Sequence, residues 1–131
     1  MNILDENISE HQRQLLRSWR VPAAMIGVDL SRKGIQDEQI IPLLHSLNKS
    51  TFFTRDKGFY RRDLCHSNYC LVCLEVHRAE VALFVRRFLR HPGFRARAQR
   101  MGKVVRMSSA GIQFWRLSDP RESALSWKTT A

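Results

Sequence analysis

GIQDEQIIPLLHSLNKSTFFTRDKGF, residues 34 to 59, is the stretch that decides the fold. From Asp37 onward, Ile40, Leu44 and Leu47 fall on one helical face, and Ile41 and Leu43 widen the apolar stripe. Pro42 lies past the first turn, so it removes a helical donor and bends the helix. Asn48 is a stop signal, and STFFT (50–54) then reads as a strand ending just before Asp56. A helix running through a short connection into an apolar strand is the repeating unit of a parallel sheet.

Working outward, the same alternation recurs. NIL (2–4) predicts a first strand. A helix follows, with Asn7 and Glu10 spaced as a capping box and Ile8, Leu15, Leu16 and Trp19 on one face. Pro22 bars its continuation, and AMIGVDL (24–30) predicts the second strand. YCLVCLEV (69–76) reads as a buried fourth strand. A third helix is expected over about 78–91, its stripe made by Val81, Phe84, Val85, Phe88 and Leu89. RARAQRMG fits a short helix or a loop, and KVVRM and IQFWRL form a strand pair about an SSAG turn. The reading is one α/β domain over residues 1–117, a mostly parallel central sheet flanked by helices in three layers. Residues 118–131 show little pattern and are expected to form a mobile or loosely docked tail.

No apolar run approaches the roughly 20 residues of a membrane span, and MNILDENISE lacks the layout of a signal peptide. Cys65, Cys70 and Cys73 are an odd, closely spaced set, unlike a secreted disulfide framework. A cytoplasmic protein is therefore expected. With His66 and His77 nearby a zinc site is conceivable, but the apolar run around Cys70 and Cys73 favours buried thiols. Their odd spacing would turn the two thiols to opposite faces of a strand.

The net charge is +10, and it is unevenly spread. Residues 1–50 hold six basic and six acidic side chains, so the excess lies wholly in the second half, and Val81 to Ser118 contains no acid. Such a surface attracts a phosphate backbone, and nucleic acid is the partner it suggests, the alternatives being a solvated basic face or an acidic protein partner.

Against that background three acids stand out. Asp5 follows the first strand, Asp56 follows the third, and Asp37 opens the helix feeding the third. In an open α/β sheet all three positions fall at the carboxyl ends of the strands, where ligands bind. Glu6 and Glu38 are neighbours of two of them. Crowded carboxylates must protonate or find a cation, and Mg²⁺ or Mn²⁺ takes such oxygen ligands. Each acid also has a plain structural reading: Asp5 beside the first helix N-terminus, Asp37 as an N-cap, and Asp56 pairing with Arg55 or Lys57 or starting a turn.

The opening NILDEN, the GIQDEQIIPLLHSLNKSTFFTRDKGF stretch and the basic α/β ending resemble the PIN domain family, in particular the short PIN-like proteins related to VapC-type toxins. The resemblance is good over roughly residues 1–60 and extends in order of elements to about residue 117. It implies a PIN-like three-layer fold and a Mg²⁺- or Mn²⁺-dependent ribonuclease, the toxin component of a toxin–antitoxin pair. It implies Asp5, Asp37 and Asp56 as catalytic and metal-binding residues, with Glu6 or Glu38 as the candidate substitute for a further acidic ligand. Asn7 and Thr54 match supporting positions, and Arg55, Lys57, Arg61 and Arg62 would position phosphates. An antitoxin protein and a homodimer are the partners it implies. The chain departs from the family at Gly58, where a second acid is common, and it shows no clear match to a helical glutamate found in longer PIN domains. A non-catalytic nucleic-acid- or partner-binding module on the same fold is the alternative those departures favour.

Overall fold

A computed structural model describes residues 1–128. Seven strands form one sheet: β1 (Asn2–Leu4), β2 (Ala24–Met25), β3 (Ser50–Thr54), β4 (Tyr69–Leu74), β5 (Lys103–Ser108), β6 (Gly111–Arg116) and β7 (Ser123–Leu125). Their spatial order is β2-β1-β3-β4-β5-β6-β7. The first five in that row are mutually parallel, and β6 and β7 run antiparallel to their neighbours. Four helices accompany them: α1 (Glu10–Ser18), α2 (Asp37–Ser46), α3 (Val81–Arg90) and the short α4 (Arg97–Arg100). The mostly parallel α/β sheet expected from the alternation is therefore present.

The period-two alternation of each strand sorts side chains into two cores. Leu4, Phe53, Val72 and Val105 join Leu16, Val85 and Phe88 of α1 and α3 on one face. Ile3, Phe52, Leu71 and Val104 join Ile40 and Leu44 of α2 on the other. This makes three layers. Cys70 lies in the first core and Cys73 in the second, as their spacing required, and Cys65 is half-buried. Burial pushes both strand thiols up to about 12.

Several expected boundaries move, each for a local reason. α1 starts at Glu10 with Ser9 as its cap, whose hydroxyl accepts from the Gln12 amide at 3.3 Å. The capping box at Asn7 and Glu10 is not formed, because residues 5–8 close a turn through an Ile8 amide bond to the Asp5 carbonyl. β2 stops at Met25 rather than at residue 30. Gly27 turns the chain at a φ of +87°, and Asp29 folds back to accept the Met25 amide at 2.9 Å. The buried polar side chains of α1 have partners. Gln12 accepts the Ala82 amide at the start of α3, and Arg13 pairs with Glu10 and Asp29.

The C-terminal segment carries more order than its pattern suggests. β7 extends the sheet, and the Trp127 indole donates to the Ser108 carbonyl at 2.6 Å. That ring packs against Phe84 and His91, with the Arg87 guanidinium 4.3 Å above it. No helix among the described residues is long and apolar enough to cross a membrane.

Candidate functional site

The strand order fixes where a site can form. The chain goes from β1 outward to β2, then returns across β1 to start β3 on its other side. The connections after β1 and β3 therefore diverge, and the crevice beyond their carboxyl ends is the switch point where open α/β sheets bind ligands. Asp5 follows β1 and Asp56 lies just beyond β3, on either side of that crevice. α2 begins at the same end, because it precedes β3, and its first residue is Asp37.

Asp5 is half-buried, and its amide donates to the Phe53 carbonyl at 3.0 Å, prolonging the β1–β3 ladder. The fully buried Thr54 hydroxyl donates to Asp5 Oδ2 at 2.7 Å and accepts from the Asp56 amide at 3.0 Å. One hydroxyl thus ties the two strand-end acids together, using its donor and one lone pair. Burial pushes the Asp5 carboxyl above its ordinary value, outweighing the hydrogen bonds from Thr54 and the Glu6 and Asn7 amides. Asp56 also starts a turn: its Oδ1 accepts from the Gly58 amide at 2.8 Å. A Cβ at residue 58 would stand 3.0 Å from that oxygen, so glycine leaves the carboxylate uncrowded.

Asp37 is held above its ordinary value as well. Desolvation by the surrounding protein comes first, then the charge of Asp56 and a hydrogen bond shared with it, then the charges of Asp5 and Glu38. Asp37 therefore feels both strand-end acids, Asp56 more strongly than Asp5. Asp37 is not the helix cap, since Gln36 occupies that position and its amide bonds to the Gln39 side chain.

The distribution of ion pairs sharpens this. Glu10, Asp29, Asp63, Glu75 and Asp119 each pair with an arginine. Among the described residues Asp5, Asp37, Asp56, Glu38 and Glu6 have no such partner, and neither do Glu80 and Glu122 elsewhere on the surface. In a chain of 22 basic side chains, a counter-charge is missing where the acids crowd each other. The adjacent Arg55 is engaged elsewhere. The Arg55 Nε donates to the Val76 carbonyl at 3.2 Å, and Arg55 and Lys57 both line the crevice beyond β4.

The other expected site residues are placed as follows. Glu6 accepts the Gly34 amide at 2.9 Å and braces the loop that leads into α2. Glu38 is exposed beside Asp37. Asn7 is exposed and contributes its amide to Asp5. Arg61 is engaged by Asp63, and Arg62 lines a separate surface hollow with Cys65 and Arg116. Among the described residues no three His, Cys, Asp or Glu side chains are gathered as a metal-binding group. Asp37 and the Asp56 that acts on it remain. That donor set suits a hard cation that keeps most of its water and takes one or two carboxylates.

Beyond β4 lies a crevice of about 390 Å³, lined by the sequence neighbours of Asp56 but by none of the three acids. It runs from Arg55 and Lys57 past Glu75 and His77 to Ser109, with Glu80 at the start of α3 on one wall. Glu80 and Ser109 were invisible as site residues in the sequence, and His77 stood out only as a conceivable zinc ligand, because strand order alone brings these segments together. No family model, no curated protein and no solved structure matches the chain.

Proposed function

We propose that the protein is a divalent-cation-dependent ribonuclease on a PIN-like fold, acting in the cytoplasm as the toxin component of a toxin–antitoxin pair. One observation carries the reading: unpaired, mutually repelling carboxylates at the switch point of an otherwise strongly basic protein. Asp37 and Asp56 would hold Mg²⁺ or Mn²⁺, with Asp5 adding its charge. The cation, when bound, supplies Lewis-acid charge to the phosphodiester and makes water a better nucleophile. The chain's own residues do the rest. Thr54 holds Asp5 and the Asp56 backbone in register, and Gly58 fixes the Asp56 carboxylate. Arg55 and Lys57 draw RNA phosphates to the edge of the acids without neutralising them.

The test is cleavage of single-stranded and structured RNAs with Mn²⁺, Mg²⁺ or EDTA. Metal-dependent cleavage that is lost in Asp5→Asn and Asp56→Asn is expected. Cleavage that survives in EDTA or in Asp56→Asn overturns the assignment. The lack of a gathered three-ligand group favours a second reading, RNA binding without cleavage. It predicts salt-sensitive affinity and intact RNA under every metal.

A further inference from the structure

The crevice beyond β4 has a polarity, and the nuclease reading uses only its Arg55 and Lys57 end. Strand order sets its direction. Arg55 and Lys57 stand at the β3 end, next to Asp56. Glu75 and His77 follow at the β4 end, and Ser109 lies in the β5–β6 turn at the far side. Cations therefore occupy the β3 end, and hydrogen-bonding groups the β4 and β5 end.

The distal groups differ in availability. The Glu75 carboxylate has Arg106 at 3.9 Å. Glu80 is exposed, makes no cap bond to α3, and has no ion pair among the described residues. His77 Nδ1 accepts the Ala79 amide at 3.1 Å, which leaves its ring proton on Nε2. The His77 ring is exposed, a surface on which a base can stack. The space, about 390 Å³, suits one nucleotide.

We propose that this crevice is a base-selective subsite for one nucleotide of a bound RNA. The phosphate lies against Arg55 and Lys57, the base lies beside His77, and Glu80 reads its edge. A carboxylate accepts from an amino group and repels a carbonyl oxygen. Cytosine presents an amino group where uracil presents an oxygen, so the site selects cytosine over uracil. The inference rests on RNA as the ligand and not on its cleavage.

The experiment is equilibrium binding of fluorescently labelled oligocytidylate and oligouridylate in EDTA, where no metal-dependent cleavage occurs. Wild-type protein is expected to bind the cytidine oligomer about fivefold more tightly. Glu80→Gln offers both an acceptor and a donor, and should bring the two affinities together mainly by improving uridine binding. Glu80→Ala should also erase the preference. Gln14→Ala, an exposed substitution on α1 that does not line the crevice, serves as a folded control and should keep the preference. Equal affinities in the wild type, or a preference that persists in both Glu80 variants, overturn the inference and leave the nuclease reading intact. A Glu80-dependent preference in a protein that never cleaves upholds the subsite and removes the nuclease. Failure of the folded protein to bind either oligomer overturns both.

Discussion

Replacing Asp56 by Asn should raise the stability of the metal-free protein while destroying its proposed activity. The substitution keeps the Oδ1 that accepts the Gly58 amide, so the turn survives, and it removes the charge that lifts Asp37 above its ordinary value. Both acids are exposed, so the relief is that of a screened surface pair, about 0.5 kcal/mol. For a domain of this size that is roughly 2 °C in melting temperature. The sign with pH follows from the raised Asp37 value. A carboxyl whose folded pKa is raised loses stability as pH rises from the ordinary value of 3.8 through the folded one. The gain in the variant should therefore be full at neutral pH and shrink as pH falls toward 3.8. Thermal unfolding of both proteins in EDTA at several pH values measures it. A variant less stable than wild type at neutral pH would refute the repulsion between Asp56 and Asp37.

Three further outcomes are expected. Thr54→Val leaves the Asp56 amide and one Asp5 oxygen without their buried partner, and should cost about 1–3 kcal/mol by urea unfolding, with Thr54→Ser close to wild type. In the native state at pH 8, Ellman's reagent should titrate Cys65 at most, since the Cys70 and Cys73 thiols sit near 12, and fast reaction of a second thiol would contradict their burial. Trp127→Ala should destabilise by about 2 kcal/mol through lost contacts with Phe84 and His91, and an unchanged denaturation midpoint would mean that the tail is not docked.

How far the sequence could be read depended on how local the cause was. β3 was legible to the residue, since STFFT is buried throughout and bounded by Lys49 at positive φ and by the Asp56 turn. α2 began at Asp37 as expected because its apolar spacing is strong enough to outlast Pro42. β2 was overread because its apolar letters continue past Gly27, while the backbone turns there and Asp29 takes the edge amide. β7 could not be read at all: three residues with no alternation become a strand only because β6 offers a free edge and Trp127 anchors the chain. The acids were legible as a set because each sits at a strand–helix junction, and junctions of one type gather at one end of a parallel sheet. The crevice was not, since Arg55, Glu80 and Ser109 share it only through the order β3-β4-β5.

The central claim is that Asp37 and Asp56 lack a protein counter-charge because a divalent cation supplies it. Calorimetric titration of Mn²⁺ into metal-free protein tests this most directly, with Asp37→Asn and Asp56→Asn titrated alongside. The account predicts one saturable site in the wild type, weakened at least tenfold or abolished in each variant. No binding by the folded wild-type protein, or equal binding in both variants, would contradict it.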